Sequence, residues 1–230
     1  MVKTWCDAFL HVFYPSLCFG CNNELIQGDQ YICLQCQIQL GRTHFEGIRD
    51  NPVEKLFWGR AEIQFAASTF YYIDKTPLQQ IIHHIKYRQE KELGVHMGEI
   101  MGIHGSVLFH TLNADLCIPM PLHPKKEYKR GYNQATLLCE GIFKQTGIPF
   151  NEKALVRNEN TRTQTKKSRM ERWENVASVF DVHEPSIIKD KHIVVVDDVI
   201  TTGASTEACV NMLMQHGAKT VGIYSLAFTL

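Results

Sequence analysis

The residues best suited to chemistry lie near the C-terminus, where two adjacent carboxylates precede a run of small and hydroxyl side chains. Asp197 and Asp198 suit ribose hydroxyls or a hydrated divalent cation, because carboxylate oxygens accept hydrogen bonds and bind hard cations. Residues 201–206 can hold a phosphate through backbone N–H groups, and Gly203 lets that backbone approach closely. The segment predicts a pocket for a phosphorylated sugar, formed by Asp197, Asp198, Thr201, Thr202, Gly203, Ala204, Ser205 and Thr206.

A basic group follows a proline-rich stretch in the middle of the chain. Residues 119–124 read Pro-Met-Pro-Leu-His-Pro, and lysines and an arginine come directly after them. A basic loop between a strand and a helix is a usual site for an anion, here a pyrophosphate. The alternative is a solvated surface turn. The candidate contacts in this group are Lys125, Lys126 and Arg130.

A second cationic segment covers residues 158–172 and has no apolar periodicity. Such a composition predicts a mobile segment. It is either a lid that closes over a polyanionic substrate or an exposed loop, and Lys166 and Arg169 are its candidate contacts.

Four clustered cysteines lie near the N-terminus, as two Cys-x-x-Cys pairs separated by eleven residues. Each tight turn can present two sulfurs to one Zn²⁺, so Cys18, Cys21, Cys33 and Cys36 predict a tetrahedral four-thiolate site. Redox dithiols and two disulfides are the less favoured alternatives. Four protein ligands leave no open position, so the metal is expected to be structural.

Alternating strands and helices are predicted to position these groups. A short β-branched run from residue 192 predicts a strand buried on both faces, which ends at the acidic pair and leads into a helix near Ala204 or Ser205. Further strands are predicted at about residues 60–73, 115–121, 154–157, 178–181 and 220–228, and helices at about 76–86, 91–108 and 133–145. This order predicts an α/β protein with a parallel sheet. We expect two parts, residues 1–45 with an N-terminal amphipathic helix at residues 2–14 and the cysteine ribbon, and residues 46–230 with the sheet.

Composition excludes some functions. Twenty-four lysines and arginines balance 24 aspartates and glutamates, so any attraction to nucleic acid must be local. No run predicts a membrane span or a signal peptide. One cysteine cluster beside scattered cysteines is typical of a reducing cytoplasm, which is the expected location.

These residues resemble a known family. Residues 194–206 are similar to the phosphoribosyl pyrophosphate (PRPP) signature of type I phosphoribosyltransferases. The cysteine ribbon, Lys86-Tyr87-Arg88, residues 119–124, residues 130–135 and residues 164–175 together resemble the ComF branch, which is tied to DNA uptake in natural transformation. The resemblance implies a type I phosphoribosyltransferase-like parallel sheet flanked by helices, with a small N-terminal four-cysteine zinc ribbon.

The resemblance also implies roles. Asp197 and Asp198 would bind the ribose hydroxyls, and residues 201–206 the 5′-phosphate. Residues 122–126, and thus also Leu122 and His123, would bind the pyrophosphate. Residues 158–172 would form the catalytic loop. The reaction would displace pyrophosphate from C1 of the ribose, with Mg²⁺ neutralising the leaving group.

Two functions stay open. The first is a PRPP-dependent transferase. No residue pattern in the region that would cap the site, from Thr76 to about Leu112, indicates a purine, a pyrimidine or ammonia as the acceptor. The second is a non-catalytic module that handles single-stranded DNA or docks a DNA-uptake motor protein, with Lys86, Tyr87 and Arg88 contacting the nucleic acid. A different α/β phosphoryl-transfer protein is disfavoured because the sequence contains no Gly-x-x-x-x-Gly-Lys loop.

Overall fold

A computed structural model describes residues 15–26, 28–157 and 179–229 of the chain, and the predicted N-terminal helix lies outside these residues. The described helices are α1 (Leu34–Gln39), α2 (Pro52–Lys55), α3 (Pro77–Tyr87), α4 (Lys91–Thr111), α5 (Pro124–Arg130), α6 (Gln134–Thr146), α7 (Pro185–Ile188) and α8 (Ala204–Gln215). The described strands are β1 (Phe65–Tyr72), β2 (Leu116–Pro119), β3 (Leu155–Arg157), β4 (Phe180–Val182), β5 (His192–Ile200) and β6 (Thr220–Thr229). None of the helices in these ranges is long and apolar enough to cross a membrane.

The main sheet has four strands in the order β1-β6-β5-β2, and every neighbouring pair is parallel. The central strands β5 and β6 are rich in aliphatic side chains that are buried on both faces, which is the pattern expected when helices cover a parallel sheet. The predicted α/β architecture with a parallel sheet flanked by helices is confirmed.

Helices α4 and α6 pack against each other closely enough to require glycine. A Cβ atom built on Gly141 would collide with the carbonyl oxygen of Val95, and one built on Gly98 would collide with that of Leu138. The backbones of the two helices therefore touch directly, which fixes α6, and with it the basic segment before α6, relative to α4.

Short elements complete the chain. Strands β3 and β4 form a separate antiparallel pair. Residues 41–43, which follow the cysteine ribbon, pair with β1. The Thr43 N–H donates to the Thr69 carbonyl (3.0 Å), and the Tyr71 N–H donates to the Gly41 carbonyl (2.8 Å). The first strand begins at Phe65, later than predicted, because residues 56–60 form a turn after α2.

The segment predicted as a basic loop is partly helical. Pro124 occupies the first turn of α5, where a missing N–H costs nothing, and Nδ1 of His123 accepts a hydrogen bond from the Lys125 N–H (3.2 Å). Gly131 ends the helix in the left-handed conformation (φ 78°). These capping signals outweigh the prolines and charges that favoured a loop.

Candidate functional site

The acidic pair lies where β5 separates from one of its two neighbours. Strand β2 ends opposite Val196, whereas β5 stays paired with β6 as far as Ile200. The strand therefore runs through Asp197 and Asp198, further than the sequence predicted. Because β2 has already ended, both carboxylates lie at the carboxyl edge of the sheet, where parallel α/β proteins bind their ligands.

The two carboxylates have different surroundings. Adjacent residues of a strand point to opposite faces of the sheet, so Asp197 and Asp198 do not form a single cluster. Burial, and then the charge of Asp198, raise the pKa of Asp197 to about 8, against the effects of the Asp198 N–H and of Lys86. Asp197 therefore gains a negative charge readily only when a cation or a hydrogen-bond donor compensates for its burial.

Asp198 already has a cationic partner. The ammonium group of Lys86, in the last turn of α3, lies 2.9 Å from its Oδ2 atom, and both side chains are largely buried. The structure thus places Lys86, which the sequence predicted as a nucleic-acid contact, against the acidic pair. Its neighbour Tyr87 is exposed, and Arg88 is an exposed residue whose N–H caps α3 by donating to the His84 carbonyl (2.9 Å).

Gln134 belongs to the candidate site, although it is not among the contacts predicted from the sequence. It is only 3% exposed and lines a small cavity together with Lys86 and Asp198. Its Oε1 atom accepts a hydrogen bond from Arg130 (2.5 Å), but its amide nitrogen has no partner within the described chain. Arg130 in turn lies over the Tyr87 ring, 5.3 Å from the centroid. The C-terminal end of α3 and the basic segment therefore converge beside Asp198.

The predicted phosphate loop, residues 201–206, joins β5 to α8. Gly203 adopts the left-handed conformation (φ 71°), and within the described residues no side chain caps α8. Thr201, Thr202, Ala204 and Ser205 are exposed, whereas Gly203 and Thr206 are buried. An uncapped helix N-terminus presents free N–H groups and a positive dipole end, which is a suitable environment for a phosphate.

The basic residues of α5 are presented to solvent. Lys125 and Lys126 are exposed, and Leu122 and His123 are half-buried. Asn133 anchors the start of α6, since its Nδ2 atom donates to the Met120 carbonyl (2.9 Å) beyond the end of β2. The predicted pyrophosphate contacts thus lie between two fixed elements. Lys166 and Arg169 lie outside the described residues, as does the rest of the predicted lid.

The four predicted cysteine ligands come together. The sulfur atoms of Cys18, Cys21, Cys33 and Cys36 all lie within 4.8 Å of one another, and those of Cys21 and Cys33 are 3.7 Å apart. Tetrahedral zinc with Zn–S bonds of about 2.3 Å requires sulfur separations of about 3.8 Å, so the donor set fits zinc.

Backbone donors support a thiolate at Cys18. The N–H groups of Gly20 and Cys33 each donate to the Cys18 sulfur (3.3 Å). Burial raises the pKa of Cys18, but these donors and the Cys21 N–H outweigh it and lower the pKa to about 7. A thiolate is the form that binds zinc.

A family model described as "Phosphoribosyl transferase domain" matches residues 144–229. The matched range includes the acidic pair, the phosphate loop and α8, the elements of the candidate site closest to the C-terminus.

Relatives match nearly the whole chain. "DNA utilization protein YhgH" of Shigella flexneri is 25% identical over 94% of this chain and 98% of its own length. "Competence protein F" of Haemophilus influenzae is 25% identical over 96% and 94%, respectively. "Competence protein ComFC" of Bacillus subtilis is 25% identical over 97% and 88%. Among solved structures, glutamine PRPP amidotransferase from B. subtilis is 22% identical, with a TM-score of 0.44, over 58% of this chain and 26% of that enzyme.

The fold, the family-model match and the relatives support a phosphoribosyltransferase-like protein. The chain is similar to the ComF family in its four-cysteine cluster and in its competence- and DNA-utilization-named relatives, which agrees with the sequence resemblance.

Proposed function

We propose that this protein binds PRPP together with Mg²⁺ at the carboxyl edge of the sheet. The observation that carries the proposal is that Asp197 and Asp198, near the end of β5, are followed directly by the loop that leads into the uncapped N-terminus of α8. Carboxylates that can accept bonds from ribose hydroxyls lie next to N–H groups that can hold the 5′-phosphate. Lys86, Arg130 and the lysines of α5 supply positive charge for the pyrophosphate.

The residues present fit a magnesium-bound ligand. Hard cations prefer oxygen donors, and they usually bind through one or two carboxylates together with substrate phosphates. Asp197 suits this role because within the described chain no ammonium or guanidinium group forms an ion pair with it, in contrast to Asp198. When bound, Mg²⁺ would neutralise the charge of the pyrophosphate leaving group.

The reaction that this arrangement supports best is displacement of pyrophosphate from C1 of the ribose. Fixed charges around both ends of PRPP would stabilise the oxocarbenium-like transition state, so no nucleophilic side chain is needed. The acceptor is undefined, but a pocket of about 370 Å³ lies on the outer face of α3 and shares Lys86 with the small cavity at Asp198. Its size suits a small ligand.

We also propose a role in DNA uptake, which the names of the relatives support. A cytoplasmic location and a contact with the DNA-uptake motor protein are further parts of this proposal. We also propose the division into residues 1–45 and 46–230, supported by the local contacts that close the cysteine cluster.

Isothermal titration tests PRPP binding. The wild type is expected to bind PRPP only with Mg²⁺ present, and Asp197→Asn/Asp198→Asn is expected to lose at least about tenfold in affinity, because the hydroxyl and cation ligands are removed. Asp115→Asn is the matched control, because Asp115 is exposed and accepts from the His192 N–H (2.8 Å) at the opposite end of β5. No PRPP binding to zinc-replete wild type would refute the proposal.

A second function, binding of single-stranded DNA, is favoured by one surface. Tyr128 on α5 is 92% exposed and stands among Lys125, Lys126 and Lys129, while Tyr87 is exposed under Arg130. Exposed aromatic rings with interleaved cations are the pattern that stacks bases and neutralises phosphates.

Fluorescence anisotropy with labelled oligodeoxythymidylate across a salt series tests this second function. Affinity should fall as salt rises, and charge reversal at Lys125, Lys126 and Lys129 should weaken binding and flatten the salt dependence. Lys219→Glu, which changes an exposed lysine just before β6, is the control. Affinity that ignores both salt and the three reversals would exclude DNA binding at this surface.

A further inference from the structure

Arg60 is a side chain outside the predicted site that reaches the phosphate loop. It lies in the turn between α2 and β1. Its Nη1 atom donates to the carbonyl oxygens of Thr202 (3.0 Å) and Leu56 (2.9 Å). Its Nε and Nη2 atoms both donate to Oε2 of Glu207, at 3.0 and 2.5 Å. One guanidinium group therefore holds its own turn, the loop and the first turn of α8 together.

The bond to Thr202 orients the loop. The peptide bond between Thr202 and Gly203 is planar and trans, so its carbonyl and its N–H point in opposite directions. With the carbonyl held by Arg60, the Gly203 N–H faces away from the guanidinium. Phe57, which belongs to the same turn and is fully buried, contacts the loop as well: its ring lies 3.0 Å from where a Cβ on Gly203 would be.

The bonds to Glu207 neutralise a carboxylate that would otherwise repel an anion bound at the N-terminus of α8. A carboxylate in the first turn stabilises a helix, but it also repels an anion bound at the same N-terminus. An arginine that bonds this carboxylate through two nitrogens cancels the repulsion and leaves the helix dipole available to the ligand.

We infer that Arg60 is a positioning residue of the 5′-phosphate site: it orients the Gly203 N–H and neutralises Glu207. The inference rests on the proposed function, in which this loop takes the 5′-phosphate of PRPP. Arg60 itself does not contact the ligand in this arrangement.

Isothermal titration of ribose 5-phosphate, of PRPP with Mg²⁺ and of pyrophosphate tests the inference. Arg60→Ala should weaken ribose 5-phosphate and PRPP by the same factor, on the order of tenfold, and change pyrophosphate less than about twofold. Arg60→Lys should recover part of the loss. In Arg60→Ala/Glu207→Gln the repelling charge is gone but the Thr202 carbonyl is still unheld, so affinity should recover in part and stay below that of the wild type.

Arg49→Ala is the matched control, because it also breaks an arginine–glutamate pair (Arg49–Glu54, 3.1 Å) that does not include the loop. It should leave ribose 5-phosphate affinity within about twofold. A double variant as weak as Arg60→Ala would overturn the neutralisation of Glu207, and full recovery in the double variant would overturn the orientation of the Gly203 N–H. Equal losses for pyrophosphate would overturn both roles. Unchanged binding by Arg60→Ala overturns this inference alone, whereas absence of PRPP and ribose 5-phosphate binding in the wild type overturns the proposed function and the inference together.

Discussion

At the scale of single residues, the site depends on a difference between two adjacent aspartates. Asp198 has a lysine partner at 2.9 Å, whereas Asp197 has a pKa raised to about 8 by burial and by its neighbour's charge. The ligand-free site therefore contains one compensated carboxylate and one that favours its protonated form near neutral pH. A bound cation would reverse this preference, which couples ligand binding to loss of a proton.

The raised pKa of Asp197 predicts how stability changes with pH. Between its ordinary value of 3.8 and about 8, the folded protein holds a proton that the unfolded chain has released, so the free energy of unfolding falls as pH rises. Asp197→Asn lacks this penalty. The melting temperature of Asp197→Asn minus that of the wild type should therefore increase from about pH 5 to about pH 8 and stay constant above it. Each kcal/mol of free energy corresponds to about 2–4 °C in this difference.

Thermal unfolding of ligand-free protein in buffers across this range measures the effect. Asp115→Asn should follow the wild type at every pH. A melting-temperature difference between Asp197→Asn and the wild type that does not change with pH would show that Asp197 titrates normally.

Loss of the Lys86 ammonium should destabilise the fold. Lys86→Met leaves Asp198 half-buried without its partner, which should lower the free energy of unfolding by about 1–2 kcal/mol. Lys144→Met is the control, because Lys144 pairs with Glu99 and Glu140 at an exposed position and should matter by less than about 0.5 kcal/mol. Urea denaturation measures both values. Equal losses in the two variants would mean that the Lys86–Asp198 pair contributes no more than a surface pair.

At the scale of elements, the sequence predicted the local structure of consecutive residues but not the contacts between residues far apart in the chain. The strand, acidic pair, loop and helix of residues 192–215 follow from local patterns, because each signal acts on its own neighbours in the chain. The bonds from Arg60 to Glu207 join residues 147 positions apart, and only the packing of the α2 turn against α8 brings them together. Gln134 was missed for the same reason: its position in the sequence indicates a helix start, whereas its role depends on the approach of α3.

The Phe57–Gly203 contact predicts a specific cost at the phosphate loop. Gly203→Ala introduces a Cβ at φ 71° and 3.0 Å from the Phe57 ring, so it adds crowding to backbone strain. Gly147 has nearly the same φ, 72°, with no atom within 4 Å of an added Cβ, so Gly147→Ala isolates the strain. Gly147→Ala should cost about 1 kcal/mol, and Gly203→Ala about 1 kcal/mol more.

Denaturant unfolding measures both glycine variants, and the test is the difference between them. If the two variants lose equal stability, Phe57 yields to the new methyl group and does not support the loop. Titration with ribose 5-phosphate adds a second comparison, because only Gly203→Ala should also weaken the binding of this ligand.

At the scale of the whole molecule, the cysteine ribbon is attached to the helices that flank the candidate site. Phe19, between two of the cysteines, packs edge-on against His84 of α3 (5.1 Å between centroids). The Tyr31 hydroxyl donates to Glu92 of α4 (3.2 Å). Because α3 also carries Lys86, the ribbon and the acidic pair are linked through one helix. A structural metal can thus affect the site without contacting the ligand.

This connection predicts a local consequence of metal removal. Elemental analysis of protein purified without chelator should find about one zinc per chain, and Cys36→Ser should lose it, whereas Cys117→Ser, at a buried cysteine outside the cluster, should retain it. In hydrogen-exchange mass spectrometry, chelation should speed exchange in the ribbon and in α3 (Pro77–Tyr87), because the Phe19 contact loses its support. Exchange in β5 and β6 should change little, since their protection comes from the parallel sheet itself. Faster exchange in the ribbon with α3 unchanged would show that the metal folds the ribbon alone, and uniformly faster exchange would mean that zinc stabilises the whole chain.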